Sequence, residues 1–275
     1  ATLGQWVPAD KLKPASILFN LQVLIGFGLA PVLIGLVRSH AGWTTVFLLG
    51  MALFLASSLM LWGARAQGNA QPGRGVLADM AEGFSAVGAN PLLRQLVLAA
   101  VIALAMTGPM QILLPKLAKE VLGLSELQRG VYLGLMALSL ILGGVSALLL
   151  GKYLHHGMTI FAGTALASLL FASLSYWTHA AASVLALGAM GVLGGMVISL
   201  VVAGIQGQAP PALRGRVMAI YSIISQVIPA LSGVAAGAVV RATGLNQAFW
   251  VAGLGLATIA LVAAFGMPQL RRSRT

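Results

Sequence analysis

Long apolar runs recur along the chain, each closed by a glycine, a proline or a short charged group. A bilayer core of roughly 30 Å needs about 20 apolar residues per helix. Eight runs meet that need, at about 14–37, 43–63, 92–114, 130–150, 158–177, 181–206, 217–240 and 248–266. The pattern predicts an all-α, polytopic membrane protein of about eight transmembrane helices. The one long connection, Ala64 to Asn90, begins rich in Gly, Gln, Arg and Pro. Its second half spaces Val76, Met80, Phe84 and Val87 at helical intervals, with Asp79 and Glu82 between them. That spacing predicts a short interfacial helix.

Composition agrees with this reading. Apolar residues make up 59% of the chain and charged residues 8%, too few charges to cover a soluble surface. The net charge of +11 invites a nucleic-acid reading, but Lys and Arg stand singly or in small groups at the ends of apolar runs, without a basic patch interleaved with aromatics. Nucleic acid is therefore not an expected partner, and the bilayer is. Alternate connections hold eleven basic residues on one side, including Arg65, Arg74, Lys152, Arg214 and Arg216, and five on the other: Arg38, Lys116, Lys119, Arg129 and Arg241. The excess predicts both termini in the cytoplasm, which requires an even number of spans. The absence of cysteine excludes a thiol nucleophile and a cysteine metal site. His155 and His156 are adjacent without a third ligand, which predicts solvated loop histidines and no metal.

Sliding the chain against itself by 202 residues aligns the first two runs with the last two, loops included. Pro8 meets Pro210, Val32 meets Val234, Gly35 meets Gly237, Val37 meets Val239, Gly42 meets Gly244 and Phe47 meets Phe249. A repeat of six helices follows, as in transporters built from duplicated halves. The later half is complete, whereas two helices of the earlier half are present. The expectation is a twelve-helix design without its first four helices, and the initial Ala in place of Met points the same way.

The six-plus-six plan and long central loop resemble the major facilitator superfamily, in particular its branch of siderophore and multidrug exporters. The stretch Pro210-Pro211-Ala-Leu-Arg214-Gly215-Arg216-Val-Met218-Ala-Ile-Tyr221-Ser222 is similar to that branch's approach to its eleventh helix. Gly28-Leu-Ala-Pro31-Val-Leu-Ile-Gly35 resembles the antiporter motif of the fifth helix, with Ala30 and Ile34 replacing two of its glycines. The loop Gly151-Lys152-Tyr-Leu-His155-His156-Gly157 is a degenerate form of the superfamily's basic loop and lacks its acidic residue. The resemblance implies helices five to twelve of the fold. Residues 1–63 would be the last two helices of the N-terminal half. Residues 64–90 would be the cytoplasmic central loop, and 91–275 the six-helix C-terminal half with its basic tail. It further implies a secondary transporter of a bacterial-type inner membrane, with a small-molecule substrate and no cofactor.

No ionisable residue lies well inside a predicted span, although such a group is the usual mark of an ion pathway. Any proton coupling would then use residues outside this chain. Uncharged polar residues remain as candidates for a substrate cavity: Asn20, Gln22, Thr107, Gln111, Ser222, Ser225 and Gln226. Under the resemblance they fall on the fifth, seventh and eleventh helices, which border the central cavity. Amides suit such a cavity because they donate or accept, and they equally suit bonding between helices. Gln111 and Gln226 are expected to share one cavity. Pro31, Pro109 and Pro229 should kink or locally break their helices, and Gly pairs four apart, such as Gly233 and Gly237, should admit close helix packing. Arg214 and Arg216 could form a cytoplasmic gate or simply anchor a helix end. An intramembrane enzyme would need a nucleophile–base pair or carboxylate cluster at membrane depth, and none is present in the sequence. The expected activity is export of small amphipathic molecules by alternating access. The alternatives are a lipid or lysolipid flippase of the same superfamily, or a fragment inactive alone.

Overall fold

The computed structural model describes residues 12–62, 76–153, 155–210 and 212–273, with side chains throughout these except at 12–25, 27, 28, 76, 77, 79 and 152. Every regular element among the described residues is a helix. In hydrocarbon a backbone must satisfy its own polar groups, so long apolar runs leave little else. The helices are α1 Leu12–Trp62, α2 Val76–Ala89, α3 Pro91–Ala105, α4 Thr107–Lys116, α5 Glu126–Leu150, α6 His156–Ser173, α7 Ala180–Gln208, α8 Arg214–Thr243, α9 Leu245–Gly266 and α10 Pro268–Arg272. A π-helical turn, Leu117–Val121, extends α4, and a 3-10 turn, Leu174–Tyr176, extends α6.

Seven helical stretches among the described residues are long and apolar enough to cross a membrane, where the sequence predicts eight. The difference lies in α1. It breaks at Gly42, whose φ of 75° and ψ of 179° are not helical, so its two arms correspond to the first two expected runs. A helix does form in the second half of the long connection, α2, Val76–Ala89.

Local chemistry explains the helix boundaries. Asn90 caps α3: its Oδ1 accepts hydrogen bonds from the Leu92 and Leu93 amides at 3.0 and 3.2 Å, and Pro91 occupies the first turn. Between α3 and α4 the helical pattern lapses at Met106. Pro109 has no amide to offer the Ala105 carbonyl four residues back, so the bond that would bridge the lapse cannot form. Pro31 and Pro229, by contrast, sit inside helices that remain continuous around them.

Two compact units form, Ala1–Gly73 with Leu124–Ala137, and Arg74–Gly123 with Leu138–Thr275. In the first, α1 crosses the start of α5 backbone to backbone. A Cβ added to Gly35 would lie 2.8 Å from the Glu126 carbonyl oxygen, and one on Gly130 would strike the Pro31 carbonyl. In the second, Leu93, Leu96 and Ala100 of α3 are buried with Val201 and Ile205 of α7 and Val217 and Ile220 of α8. There α6 packs between α7 and α9, with Phe171 and Phe249 rings 4.8 Å apart. Gly195 of α7 abuts the Leu140 backbone of α5, and Gly108 of α4 abuts that of Pro229 and Gly233 on α8. The tail folds back as α10: Leu270 is buried and its amide donates to Gln95 Oε1 at 2.8 Å.

Each unit exposes large apolar side chains. Trp62 is 87% exposed, Leu148 84%, Phe54 80% and Phe265 78%. Such a surface is suited to lipid and would not be tolerated in water.

Candidate functional site

A groove of about 500 Å³ runs between α4 and α8, within the range of sites for small organic molecules. Its floor is set where Gly108 meets Pro229 and Gly233, since the absence of side chains there brings the helices into direct backbone contact. Most of its wall is apolar, from Ile112, Ala230, Val234 and Val240. Its polar groups are Gln111, Lys116 and Arg241. Gln111 is one helical turn from Gly108 on the groove-facing side of α4. Arg241 falls in the last turn of α8, where the helix dipole favours a cation, and Lys116 is the last residue of α4 before its π-helical extension. Lys116 Nζ lies 3.7 Å from Glu120 in a half-exposed pair.

The other expected cavity residues are dispersed. Gln226 is exposed on α8 and does not line this groove. Ser222 Oγ donates to the Met218 carbonyl at 3.0 Å, and Ser225 Oγ to that of Ser222 at 2.8 Å, so both hydroxyls serve their own helix. Thr107 is half-buried at the start of α4. The side chains of Asn20 and Gln22, and the surroundings of Gly28, lie outside the described residues. Of the antiporter-like motif, Pro31 and Gly35 are at the α1–α5 crossing.

Each unit also holds an ion-pair cluster of its own. In the first unit, Glu126 Oε1 is 2.6 Å from Arg38 Nη2 and 3.5 Å from Arg129 Nη2. The Arg38 guanidinium also stacks 4.3 Å over the Trp43 ring. In the second unit, Arg216 Nη1 is 2.6 Å from Glu82 Oε2, tying α2 to the start of α8. Gly83 supports the pair, for a Cβ there would lie 3.0 Å from Ile220 Cδ1. Arg214 is exposed beside it. The signal that could have found both clusters was acid scarcity: the chain has five Asp and Glu residues, and Glu82, Glu120 and Glu126 each lie beside a cation.

One expectation is overturned. His156 is buried, not solvated: it opens α6, and its Nε2 lies 2.9 Å from the Leu200 carbonyl of α7. Gly204, one turn further along α7, leaves the room that the ring needs. No group of three or more potential metal ligands occurs among the described residues.

With the geometry in place, three comparisons bear on it. The family model described as Major Facilitator Superfamily matches residues 1–233. The chain is 25% identical over 259 residues to the multidrug efflux pump Tap of Mycolicibacterium fortuitum, a match covering 92% of this chain and 62% of that protein. The chain thus spans less than two-thirds of that relative's length. Its fold is similar to the crystal structure of a bacterial homologue of the human lysosomal transporter Spinster, solved inward-facing and unoccupied. That likeness has a TM-score of 0.66 at 16% identity and covers 98% of this chain and 69% of that one.

Proposed function

The chain belongs to the Major Facilitator Superfamily, and on that premise we propose that it carries the substrate groove of a secondary transporter exporting small amphipathic molecules by alternating access. The observation that carries this reading is the groove itself, apolar along its length with one amide, Gln111, part-way down. A largely apolar wall accepts varied ligands, and a single amide orients them without demanding a charge at that point. The likeness to an efflux pump supports export as the direction.

The domain assignment is part of the same proposal: residues 1–63 end an N-terminal half, 64–90 form the central loop, and 91–275 form the C-terminal half. Both termini would face the cytoplasm of a bacterial-type inner membrane, with Arg38, Lys116 and Arg241 at the opposite face. Proton coupling, where present, would run through residues outside this chain. Single cysteines at Ser125 and Ser273 test the orientation. An impermeant thiol reagent added to intact cells should label the first and spare the second.

The test of the groove uses the protein as encoded, with whatever precedes position 1. Gln111→Leu should change the pattern of dyes and drugs expelled from cells while expression and thermal stability stay near the parent's. Equal losses for every substrate, together with a lowered Tm, would assign Gln111 to packing and remove it from the site.

A further inference from the structure

The groove is asymmetric in charge as well as in polarity. Gly108 to Lys116 covers about 12 Å of α4, and Pro229 to Arg241 about 18 Å of α8, at the usual helical rise. Along that length the wall is apolar apart from Gln111 until its end, where both cations stand. No ion pair holds Arg241 among the described residues, and Glu120, the one acid beside Lys116, is itself half-exposed at 3.7 Å. The end of the groove therefore carries uncompensated positive charge, set next to a surface from which water is easily displaced.

Solvated anchoring residues at a membrane face would explain two cations at helix ends. It does not explain why both line one groove, from two helices whose backbones touch at Gly108. That contact holds the two cationic ends in register, as a site for one ligand requires. An arginine presents a planar fork suited to a carboxylate, sulfate or phosphate oxygen pair, and a lysine supplies a mobile second donor.

We infer that this groove binds amphipathic anions: a slender apolar body along α4 and α8, with its anionic head between Lys116 and Arg241. This rests on the transport reading and gives its substrate a charge and a polarity. Gln111 then lies beside the body of the ligand, where it would bond to a mid-chain oxygen or nitrogen. The occupant is a small soluble amphiphile. A volume of about 500 Å³ admits a drug-sized molecule.

The experiment measures scintillation-proximity binding of radiolabelled decanoate to the encoded protein, purified in a neutral maltoside. Decyl sulfate should compete, and decyltrimethylammonium, with the same tail and the opposite charge, should not. Arg241→Gln and Lys116→Gln should each weaken decanoate binding roughly tenfold, the scale of one charge-assisted hydrogen bond. Arg241→Lys should retain most of the affinity. Arg241→Glu should reverse the preference, so that decyltrimethylammonium becomes the better ligand, an outcome that a misfolded variant cannot produce. Equal competition by both head groups, or affinities unmoved in the charge variants, would overturn the inference. So would a phospholipid that co-purifies with the parent, blocks decanoate and is lost in Arg241→Gln, since the groove would then hold a bilayer lipid. Failure here is separable from failure of the transport reading. If dye export persists and responds to Gln111→Leu while decanoate binding ignores Lys116 and Arg241, the groove transports but does not select anions.

Discussion

Gly42 and Gly244, 202 positions apart, turn the chain with the same backbone: φ 75° and ψ 179° at the first, φ 89° and ψ 171° at the second. Each joins two long apolar helices, α1 with itself across its break and α8 with α9. A left-handed φ is open to glycine and strained for any residue with a Cβ. The offset that pairs Pro8 with Pro210 and Phe47 with Phe249 thus also pairs a conformational requirement. Shared Gly and Val in apolar helices are common by chance, whereas two matched positive-φ turns between helices are harder to obtain that way.

Gly42→Ala and Gly244→Ala should therefore each destabilise the protein by about 1–2 kcal/mol through backbone strain alone. Neither position has an atom within 4 Å of an added Cβ, so no clash contributes. Gly50→Ala and Gly255→Ala provide controls, as both lie within helices and also face open space. They should leave Tm unchanged or raise it, because Ala is the better helix former. Thermal unfolding in detergent separates the two pairs.

A different cost attaches to Gly108. A Cβ there would run into the Pro229 carbonyl, the Gly233 amide and the Ser232 hydroxyl, and two of these three are backbone. Gly108→Ala should cost about 3 kcal/mol, the upper end for overpacking, because backbone cannot move aside as a side chain can. Gly237→Ala, on the partner helix α8 but open, should be nearly neutral. Near-equal Tm values for the two variants would show that α4 and α8 are further apart than described.

Glu126 serves two arginines at once. A double-mutant cycle between Arg38→Gln and Glu126→Gln should return a coupling of about 0.5–1 kcal/mol, since both side chains remain 30% exposed. The coupling should shrink as salt is raised from low to physiological strength. Glu126→Gln should be the more harmful single change, for it leaves Arg38 and Arg129 as unshielded like charges, whereas Arg129→Gln leaves the shorter pair intact. A coupling near zero at low salt would mark the cluster as incidental.

The Glu82–Arg216 pair should govern how firmly α2 is held. Hydrogen exchange across residues 76–89 should quicken in Glu82→Gln and at least as much in Arg216→Gln. It should quicken no further in the double variant, because either change alone severs the pair. The exchange of α3, whose buried face is independent of that contact, should stay slow. If the two single changes add, each residue acts through other partners.

The spans were legible because hydrocarbon imposes one rule on every residue that meets it, and a run such as 181–206 can scarcely be read otherwise. Boundaries set by capping chemistry were nearly as plain: Asn90-Pro91 announces the start of α3. The site was less so. Gln111 could be picked out as polar in an apolar run, but Lys116 and Arg241 had already been accounted for as anchors at a membrane face. Their significance arises from Gly108, which lies in no four-spaced glycine pair and has its partner 125 positions later, at Gly233. His156 failed for a related reason. A histidine in a loop-like stretch is read as solvated unless the glycine that makes room for it is known, and Gly204 is 48 residues away. Contacts between distant helices leave no local periodicity, and it is those contacts that make a groove or bury an imidazole.

The meeting of Gly108 with Gly233 also bears on how the groove can change. Two helices that touch through their backbones have no side chains to repack between them. Turning either about its own axis would drive the next side chain round into its neighbour's main chain. They are therefore constrained to travel as one plank, sliding or tilting together. The floor of the groove is thus fixed by peptide groups and indifferent to rotamers, whereas its walls are side chains. How deep a ligand can sink between the helices is therefore limited by main chain, and that limit should survive exchange of wall side chains such as Ile112 or Val234.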